Sequence, residues 1–264
     1  MRESVYAQTR EIEESHWWFV GMREIYRKQL DRIAGDTRVG TAPADPPRRV
    51  LDVGCGTGAN LALLENYGRT YGIDYSLSAA AFTRDRGWSQ ILVGSATELP
   101  IPDGAVDLVT ALGVIEHVPD DVGMLEEMRR VTRPGGHLLL MTSAHRWLWS
   151  RHDDAVHHVR RYRRSEFEKR LIDSGWQIEQ LSYVNTIMFP AIAAVRLFQR
   201  LLPDEPTKSE VGMSGFFAPP GPLNRALAGL LSFEGSLMRI GSLPFGVGLI
   251  VRARRPYETV SESP

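Results

Sequence analysis

Histidine, aspartate and arginine side chains are concentrated between residues 152 and 162, in the sequence HDDAVHHVRRY. A neutral histidine accepts a proton near physiological pH, and an arginine pairs with a carboxylate or a phosphate. His157 and His158 therefore predict a catalytic base, and Arg161 and Tyr162 predict contacts to a polar substrate. A solvated charged loop would have the same composition, so that alternative stays open.

Two further interpretations concern the same chemistry. His152, Asp153, Asp154 and His157 are residue types that bind transition metals, but their spacing defines no coordination geometry, and we predict no metal site. His117 follows a predicted buried strand directly after Glu116 and is a third candidate base. The alternative is a histidine that only fixes a loop.

A glycine-rich turn follows the first predicted strand, in the sequence LDVGCGTG at 51–58. Glycine has no Cβ, so the backbone of such a turn can approach a ligand closely. Gly54, Gly56 and Ala59 also satisfy the dinucleotide-binding pattern G-x-G-x-x-A. Asp74 ends the second predicted strand, where an NAD enzyme has a carboxylate that holds the ribose hydroxyls. The spacing alone therefore leaves an NAD-dependent oxidoreductase open.

Strands and helices that alternate from Arg49 to Thr142 would position these residues, and they predict a parallel sheet covered on both faces. The predicted strands are Arg49–Val53, Thr70–Asp74, Gln90–Val93, Val106–Leu112, His137–Thr142, Trp176–Val184 and Gly246–Ala253. The predicted helices are His16–Ile33, Ala59–Tyr67, Leu77–Arg86, Asp120–Thr132 and Ser165–Ser174, the last with Ser165 as its N-cap.

Taken as a set, the motifs resemble those of the class I, Rossmann-like S-adenosylmethionine-dependent methyltransferases. Asp52 extends the glycine turn to D-x-G-x-G-x-G, and Asp74, GSA at 94–96 and RVTRPGGHL at 130–138 follow in the family's order. HWWF at 16–19 and LPFG at 243–246 are similar to a broad group of bacterial methyltransferases. The resemblance implies an α/β fold. Its sheet would be Rossmann-like, seven-stranded and mostly parallel with helices on both faces, and a helical insertion would precede the last strand.

The resemblance also implies a cofactor, S-adenosyl-L-methionine, and residues that bind it. Asp52 would lie near the ammonium group and Asp74 would take the ribose hydroxyls, while Cys55 is expected to be a packing residue in the turn rather than a nucleophile. The implied cofactor-binding residues are Asp52, Gly54, Cys55, Gly56, Gly58, Asp74, Tyr75, Ser76, Ser95, Ala96, Leu112 and Gly113. Trp17 and Trp18 would close over cofactor and substrate, or pack their helix onto the sheet.

The bulk composition is that of a globular protein. Of 264 residues, 43% are hydrophobic and 24% charged, and the net charge of -1 argues against a general nucleic-acid binder. We expect no signal peptide, no spanning helix and a cytoplasmic location. The predicted organisation is an N-terminal helical lid and linker (1–47), a core (48–185 and 244–254), a helical insertion (186–243) and a flexible tail (255–264).

The sequence therefore predicts methyl transfer to a hydroxyl, or secondarily to an amine, of a small-molecule or lipid-linked acceptor. The alternatives are an NAD-dependent oxidoreductase and a non-catalytic protein that binds adenosylmethionine. The insertion is expected to cap the acceptor pocket, with Phe216 and Phe217 in the loop between its two helices. It would form an apolar acceptor channel, a homodimer contact or a peripheral membrane contact.

Overall fold

The computed structural model describes residues 3–36, 48–201 and 219–257. In chain order the elements are α1 (Glu3–Ile12), α2 (Trp17–Asp36), β1 (Arg49–Val53), α3 (Leu61–Leu64), β2 (Arg69–Asp74), α4 (Leu77–Asp85), β3 (Ile91–Val93), β4 (Val106–Leu112), α5 (Asp121–Val131), β5 (Thr132–Ser143), α6 (Arg151–Ala155), α7 (Arg164–Asp173), β6 (Gln177–Val184), α8 (Phe189–Leu201), α9 (Gly221–Leu237) and β7 (Gly248–Arg254). Single 3-10 turns lie at Glu65–Tyr67, Ile115–His117 and Arg146–Leu148.

The strands form one seven-stranded sheet in the order β3-β2-β1-β4-β5-β7-β6. The strands from β1 to β5 are parallel, and β7 runs antiparallel between β5 and β6. The prediction of a Rossmann-like, mostly parallel sheet is confirmed. Central strands such as β4 are apolar on both faces because helices cover both sides of the sheet.

Each face of the sheet has its own hydrophobic core. On one face α5 and α7 contribute Met124, Leu125 and Phe167, all fully buried. On the other face α2 contributes Ile25 and Leu30, which are also fully buried. The carboxyl ends of the parallel strands therefore lie at one edge between two fixed layers of helices, where open α/β sheets bind ligands.

The insertion between β6 and β7 contains the two predicted helices, but α9 packs along α2. Gly21 of α2 makes this close approach, since a Cβ there would lie 2.6 Å from the Cβ of Leu231. Asn224 of α9 also accepts a hydrogen bond from the backbone N–H of Trp17 at 2.9 Å. Phe216 and Phe217 lie outside the described residues, and the predicted domain boundaries stay predictions.

Three local expectations are corrected by the structure. Helix α1 was not predicted, and neither was α6, which overlaps the start of the histidine-rich segment at 152–162. Helix α7 begins at Arg164, so Ser165 is a residue of its first turn and not its N-cap. Within the described residues, no helix is both long enough and apolar enough to cross a membrane.

Candidate functional site

A cavity of about 2270 Å³ lies at the carboxyl ends of β1, β2, β3 and β4. Its volume exceeds the usual range of small-ligand sites, about 300–1,000 Å³, and leaves room for two ligands side by side. We call the part formed by 53–57, 59–60, 73–76 and 94–97 the glycine end. The histidine end is formed by His117, 149–152, His158 and Arg161 and by the neighbouring parts of α8 and α9.

Gly54, Gly56 and Gly58 of the turn all have positive φ angles, between 56° and 81°, but their surroundings differ. A Cβ on Gly54 would lie 2.5 Å from Val114, and one on Gly58 would lie 2.8 Å from Thr83. A Cβ on Gly56 would meet no atom within 4 Å. Gly56 therefore keeps the cavity open for a ligand. Gly58 does not line the cavity, so its predicted cofactor contact becomes a packing role against Thr83.

Asp74 ends β2 at the floor of the glycine end and is only 7% exposed. Its carboxylate accepts hydrogen bonds from the backbone N–H groups of Gly56, at 2.9 Å, and Ser76, at 2.8 Å. The hydroxyl of Tyr6 in α1 also hydrogen-bonds it, and burial raises the pKa of Asp74 above its usual value. Asp74 thus joins the glycine turn to the next turn and presents oxygen acceptors to the cavity.

Asp52 is placed differently from its neighbours in the motif. It is buried and accepts a hydrogen bond of 2.6 Å from the hydroxyl of Thr110 in β4. Burial raises the pKa of Asp52 to about 7. Its side chain does not line the cavity, so the expected contact with an ammonium group is not brought about by the structure. Asp52 instead joins β1 to β4 through this hydrogen bond.

The remaining residues predicted for the glycine end do line the cavity. They are Cys55, Tyr75, Ser76, Ser95, Ala96, Leu112 and Gly113. Burial raises the pKa of the Cys55 thiol strongly. A thiol that stays protonated is a poor nucleophile, which agrees with the expected packing role.

Helix α1 closes the glycine end, which the sequence did not predict. Tyr6, Thr9 and Glu13 line the cavity from this helix and its C-terminal turn. Glu13 is buried and accepts a hydrogen bond of 2.6 Å from the hydroxyl of Thr57 in the glycine turn. Arg86, just after α4, donates to the same carboxylate at 2.5 Å. These contacts join residues far apart in the chain, and no local pattern signals them.

At the histidine end, His158 is held by a buried carboxylate. Its Nδ1 lies 2.7 Å from Oδ1 of Asp153, which is completely buried. Asp153 also accepts hydrogen bonds from Nε of Arg161 at 2.6 Å and from the backbone N–H of Ser150 at 2.8 Å. A fixed carboxylate on Nδ1 orients the imidazole and leaves Nε2 free to exchange a proton.

His117 lies against His158, with the ring centroids 4.6 Å apart. Burial lowers the pKa of His117 to about 4 and that of His152 to about 4, so both are neutral at physiological pH. Glu116 accepts hydrogen bonds from the hydroxyls of Thr142 and Ser143, and its Oε1 lies 4.0 Å from Nε2 of His158. Glu116 and His117, which follow β4 in the 3-10 turn at Ile115–His117, thus meet His158 in the cavity that the glycine turn also lines.

Comparison with known proteins identifies this arrangement. Residues 51–140 match the methyltransferase domain family. A probable S-adenosylmethionine-dependent methyltransferase of Mycolicibacterium smegmatis is 31% identical over 64% of this chain and 62% of its own length. A probable chloroplastic tocopherol O-methyltransferase of Oryza sativa is 36% identical over 47% of this chain and 38% of its own length.

These matches support a class I, Rossmann-like S-adenosylmethionine-dependent methyltransferase. The cofactor that this family implies is S-adenosyl-L-methionine. A methyltransferase structure from Archaeoglobus fulgidus superposes with a TM-score of 0.54, covering 88% of this chain and 94% of that one at 15% identity, which shows the shared fold. The chain spans less than two thirds of the length of the two curated relatives.

Two residues predicted to take part in the chemistry do not reach the cavity. His157 is exposed, with a φ of 61°, and the chain reverses there so that His158 points inward. Tyr162 is fully buried, donates a hydrogen bond of 2.6 Å to Asp121 and packs on Phe167. Tyr162 is therefore a core residue, and the predicted base at His157 and substrate contact at Tyr162 are corrected.

The other predicted substrate contacts line the cavity. Trp17 and Trp18 do so from the start of α2, with their rings edge to face at 6.0 Å, and Arg161 does so from the histidine end. Among the described residues, no three histidine, cysteine or acidic side chains are grouped to hold a metal ion. Asp153, which was considered above as a metal-binding residue, is hydrogen-bonded to His158 and Arg161.

Proposed function

We propose that this chain transfers a methyl group from S-adenosylmethionine to a hydroxyl group of a small-molecule or lipid-linked acceptor. The glycine end fits the cofactor. The space in front of Gly56 admits a ligand against the backbone, and the Asp74 carboxylate faces the cavity as an acceptor for two ribose hydroxyls. Leu112 and Gly113, at the end of β4, would border the reacting methyl group.

The bound cofactor supplies a methyl group activated by its sulfonium, and the protein supplies alignment and a base. His158 accepts the proton of the acceptor hydroxyl at Nε2. Bound adenosylmethionine would supply the methyl group and would leave as adenosylhomocysteine once the acceptor oxygen had replaced its sulfur on the methyl carbon. Asp153 holds the imidazole by Nδ1 and stabilises the imidazolium that results.

The observation that carries the proposal is the Asp153–His158 pair at 2.7 Å, in the same cavity as the glycine turn. A hydroxyl acceptor requires a base, whereas a neutral amine can react by alignment alone. An oriented imidazole therefore favours O-methylation over N-methylation. The tocopherol O-methyltransferase among the relatives supports a hydroxyl acceptor as well.

The test is a panel of hydroxyl-bearing acceptors assayed for adenosylhomocysteine release, with mass spectrometry of the acceptor. Calorimetric titration with adenosylmethionine and with NAD is run beside it. We expect adenosylmethionine alone to bind and one methyl group to appear per adenosylhomocysteine. Binding of NAD instead would favour the oxidoreductase, and product methylated only at amines would overturn the hydroxyl assignment. Cofactor binding without turnover of any acceptor would favour the non-catalytic alternative.

The cytoplasmic location, the homodimer contact and the peripheral membrane contact stay predictions. So do the closing role of Trp17 and Trp18 over the acceptor and the contact between Arg161 and the acceptor. Size-exclusion chromatography with light scattering tests the homodimer contact, and flotation with liposomes tests the membrane contact. A monomeric protein that does not float with the liposomes would contradict both predictions.

A further inference from the structure

The histidine end contains an arginine whose charge the protein compensates poorly. Arg196 of α8 lines the cavity, with its side chain 16% exposed. Its Nη1 lies 3.5 Å from the Asp153 carboxylate, which Arg161 already contacts at 2.6 Å, and its close hydrogen bond goes to the neutral carbonyl of Leu148. Burial lowers the pKa of Arg196 to about 10, and the neighbouring Arg161 acts in the same direction.

The buried Arg161 and the partly buried Arg196 thus share one carboxylate, which His158 also uses. Burying a cation without an anion is costly, and a ligand anion between Arg161 and Arg196 would remove that cost. Arginine is suited to carboxylate and phosphate groups because its planar donors match their oxygens. The polar part of the acceptor is therefore expected to carry a negative charge close to the hydroxyl that reacts.

The wall next to these arginines is apolar and continues to the surface. Six residues of α8, α9 and the turn before α8 form it: Met188, Ala191, Ile192, Val195, Leu223 and Leu227. Val195 and Leu223 line the cavity and yet are 56% and 45% exposed. They therefore form an apolar rim through which a chain of methylene groups can leave the cavity.

We infer that the acceptor is an amphiphilic anion, with a carboxylate or phosphate between Arg161 and Arg196 and an apolar chain that leaves between Val195 and Leu223. This inference rests on the proposed function and names its substrate class. An insertion that served only as an apolar cap would need no charged contact, whereas here the two arginines and the apolar wall line one cavity. Both kinds of contact must then contribute to binding.

The test measures binding and needs no turnover. The protein, saturated with adenosylhomocysteine, is titrated by calorimetry with dodecyl phosphate, octyl phosphate, dodecanoate and inorganic phosphate, all below their micelle concentrations. Each methylene group that becomes buried should tighten binding about fourfold. Dodecyl phosphate should therefore bind on the order of tenfold or more tightly than octyl phosphate. The phosphate and carboxylate arms show which anion the site prefers.

Matched variants separate the site from general surface effects. Arg196→Gln should weaken dodecyl phosphate binding by about tenfold or more, because a charge-assisted contact is lost. Leu223→Asp should weaken it similarly and should remove the dependence on chain length. The controls are Arg225→Gln and Leu230→Asp, exposed residues of the same helix α9 that do not line the cavity. Both should bind dodecyl phosphate as the parent protein does.

Equal losses in Leu223→Asp and Leu230→Asp would mean non-specific binding of a surfactant, and would overturn the inference. Equal affinities for octyl and dodecyl phosphate, or for the parent and Arg196→Gln, would also overturn it. Titration with adenosylhomocysteine alone is the check on the proposed function. If that ligand binds to every variant while no amphiphile binds to the parent, the acceptor class is wrong and the cofactor site stands.

Discussion

Glu13 of the turn after α1 and Thr57 of the glycine turn are joined by a hydrogen bond of 2.6 Å from the threonine hydroxyl to the buried carboxylate. Arg86 donates to the same carboxylate from the end of α4 at 2.5 Å. The N-terminal helix is thereby fixed to the glycine turn, and its Tyr6 lies against Asp74. We expect α1 to close the proposed cofactor site through this contact.

We predict that Glu13→Gln weakens binding of adenosylhomocysteine on the order of tenfold, chiefly by faster dissociation. The neutral amide cannot form the ion pair with Arg86 and is a weaker acceptor for the Thr57 hydroxyl. A hydrogen bond to a charged group contributes about 1.5–3 kcal/mol. Stopped-flow displacement measures the dissociation rate. Glu11→Gln, at an exposed residue near the end of α1, is the control. Equal dissociation rates in the two variants would show that α1 does not close the site.

Asp74→Ala should reduce the affinity for adenosylmethionine at least about tenfold, because charge-assisted hydrogen bonds to ribose are worth about 1.5–3 kcal/mol. Calorimetric titration measures this, and Asp85→Ala at the exposed end of α4 should bind normally. Circular dichroism is needed beside it, since Asp74 also holds the N–H groups of Gly56 and Ser76. An unchanged affinity in a folded Asp74→Ala protein would disprove the assignment of the glycine end.

His158→Ala should lower kcat by about 10²–10⁴ with the acceptor that the panel identifies, because the base is lost. Adenosylmethionine binding should be unchanged. Asp153→Asn should also lower kcat, since it removes the carboxylate that orients the imidazole. The exposed His157→Ala is the matched control and should retain full turnover. If His158→Ala is as active as His157→Ala, alignment alone carries the reaction.

The sequence predicted the elements whose local pattern follows from their burial. Arg49–Val53 and Val106–Leu112 were predicted with the bounds that the structure shows, because strands covered on both faces are runs of apolar residues. Helix α1 was missed, because polar contacts such as that of Glu13 with Thr57 hold it in place. Such contacts join distant parts of the chain and leave no periodic pattern in the sequence.

Side-chain direction accounts for the errors at the histidine end. The motif HHVRRY predicted four functional residues by type, but the chain reverses at His157, where φ is positive. His158 and Arg161 consequently face Asp153, whereas Tyr162 enters the core. Arg196 was not among the predicted site residues, because its approach to Asp153 depends on how α8 packs against the rest of the protein.

Two helix glycines provide a matched test of the packing between α2 and α9. A Cβ on Gly21 would lie 2.6 Å from the Cβ of Leu231, so Gly21→Ala should destabilise the protein by roughly 1–3 kcal/mol. A Cβ on Gly229 of α9 would meet nothing within 4 Å, so Gly229→Ala should stabilise it by about 0.4–1 kcal/mol. Urea unfolding measures both, and a stabilising Gly21→Ala would refute the close crossing of these helices.

The pH dependence of stability should change when Asp52 is replaced. Its pKa is raised by burial from the ordinary 3.8 to about 7, so the folded protein binds more protons than the unfolded chain between these values. Asp52 therefore costs stability progressively as the pH rises from about 4 to 7.

Asp52→Asn keeps an oxygen acceptor for the Thr110 hydroxyl and removes this ionisation. Relative to the parent without cofactor, the variant should gain stability across that window. A pKa shift of this size changes the free energy of unfolding by roughly 1–4 kcal/mol, which is several degrees in Tm. Thermal unfolding of both proteins from pH 4 to pH 8 measures the difference. The two Tm curves should diverge up to pH 7 and run parallel above it, and parallel curves throughout would show that Asp52 is ionised at low pH in the folded protein.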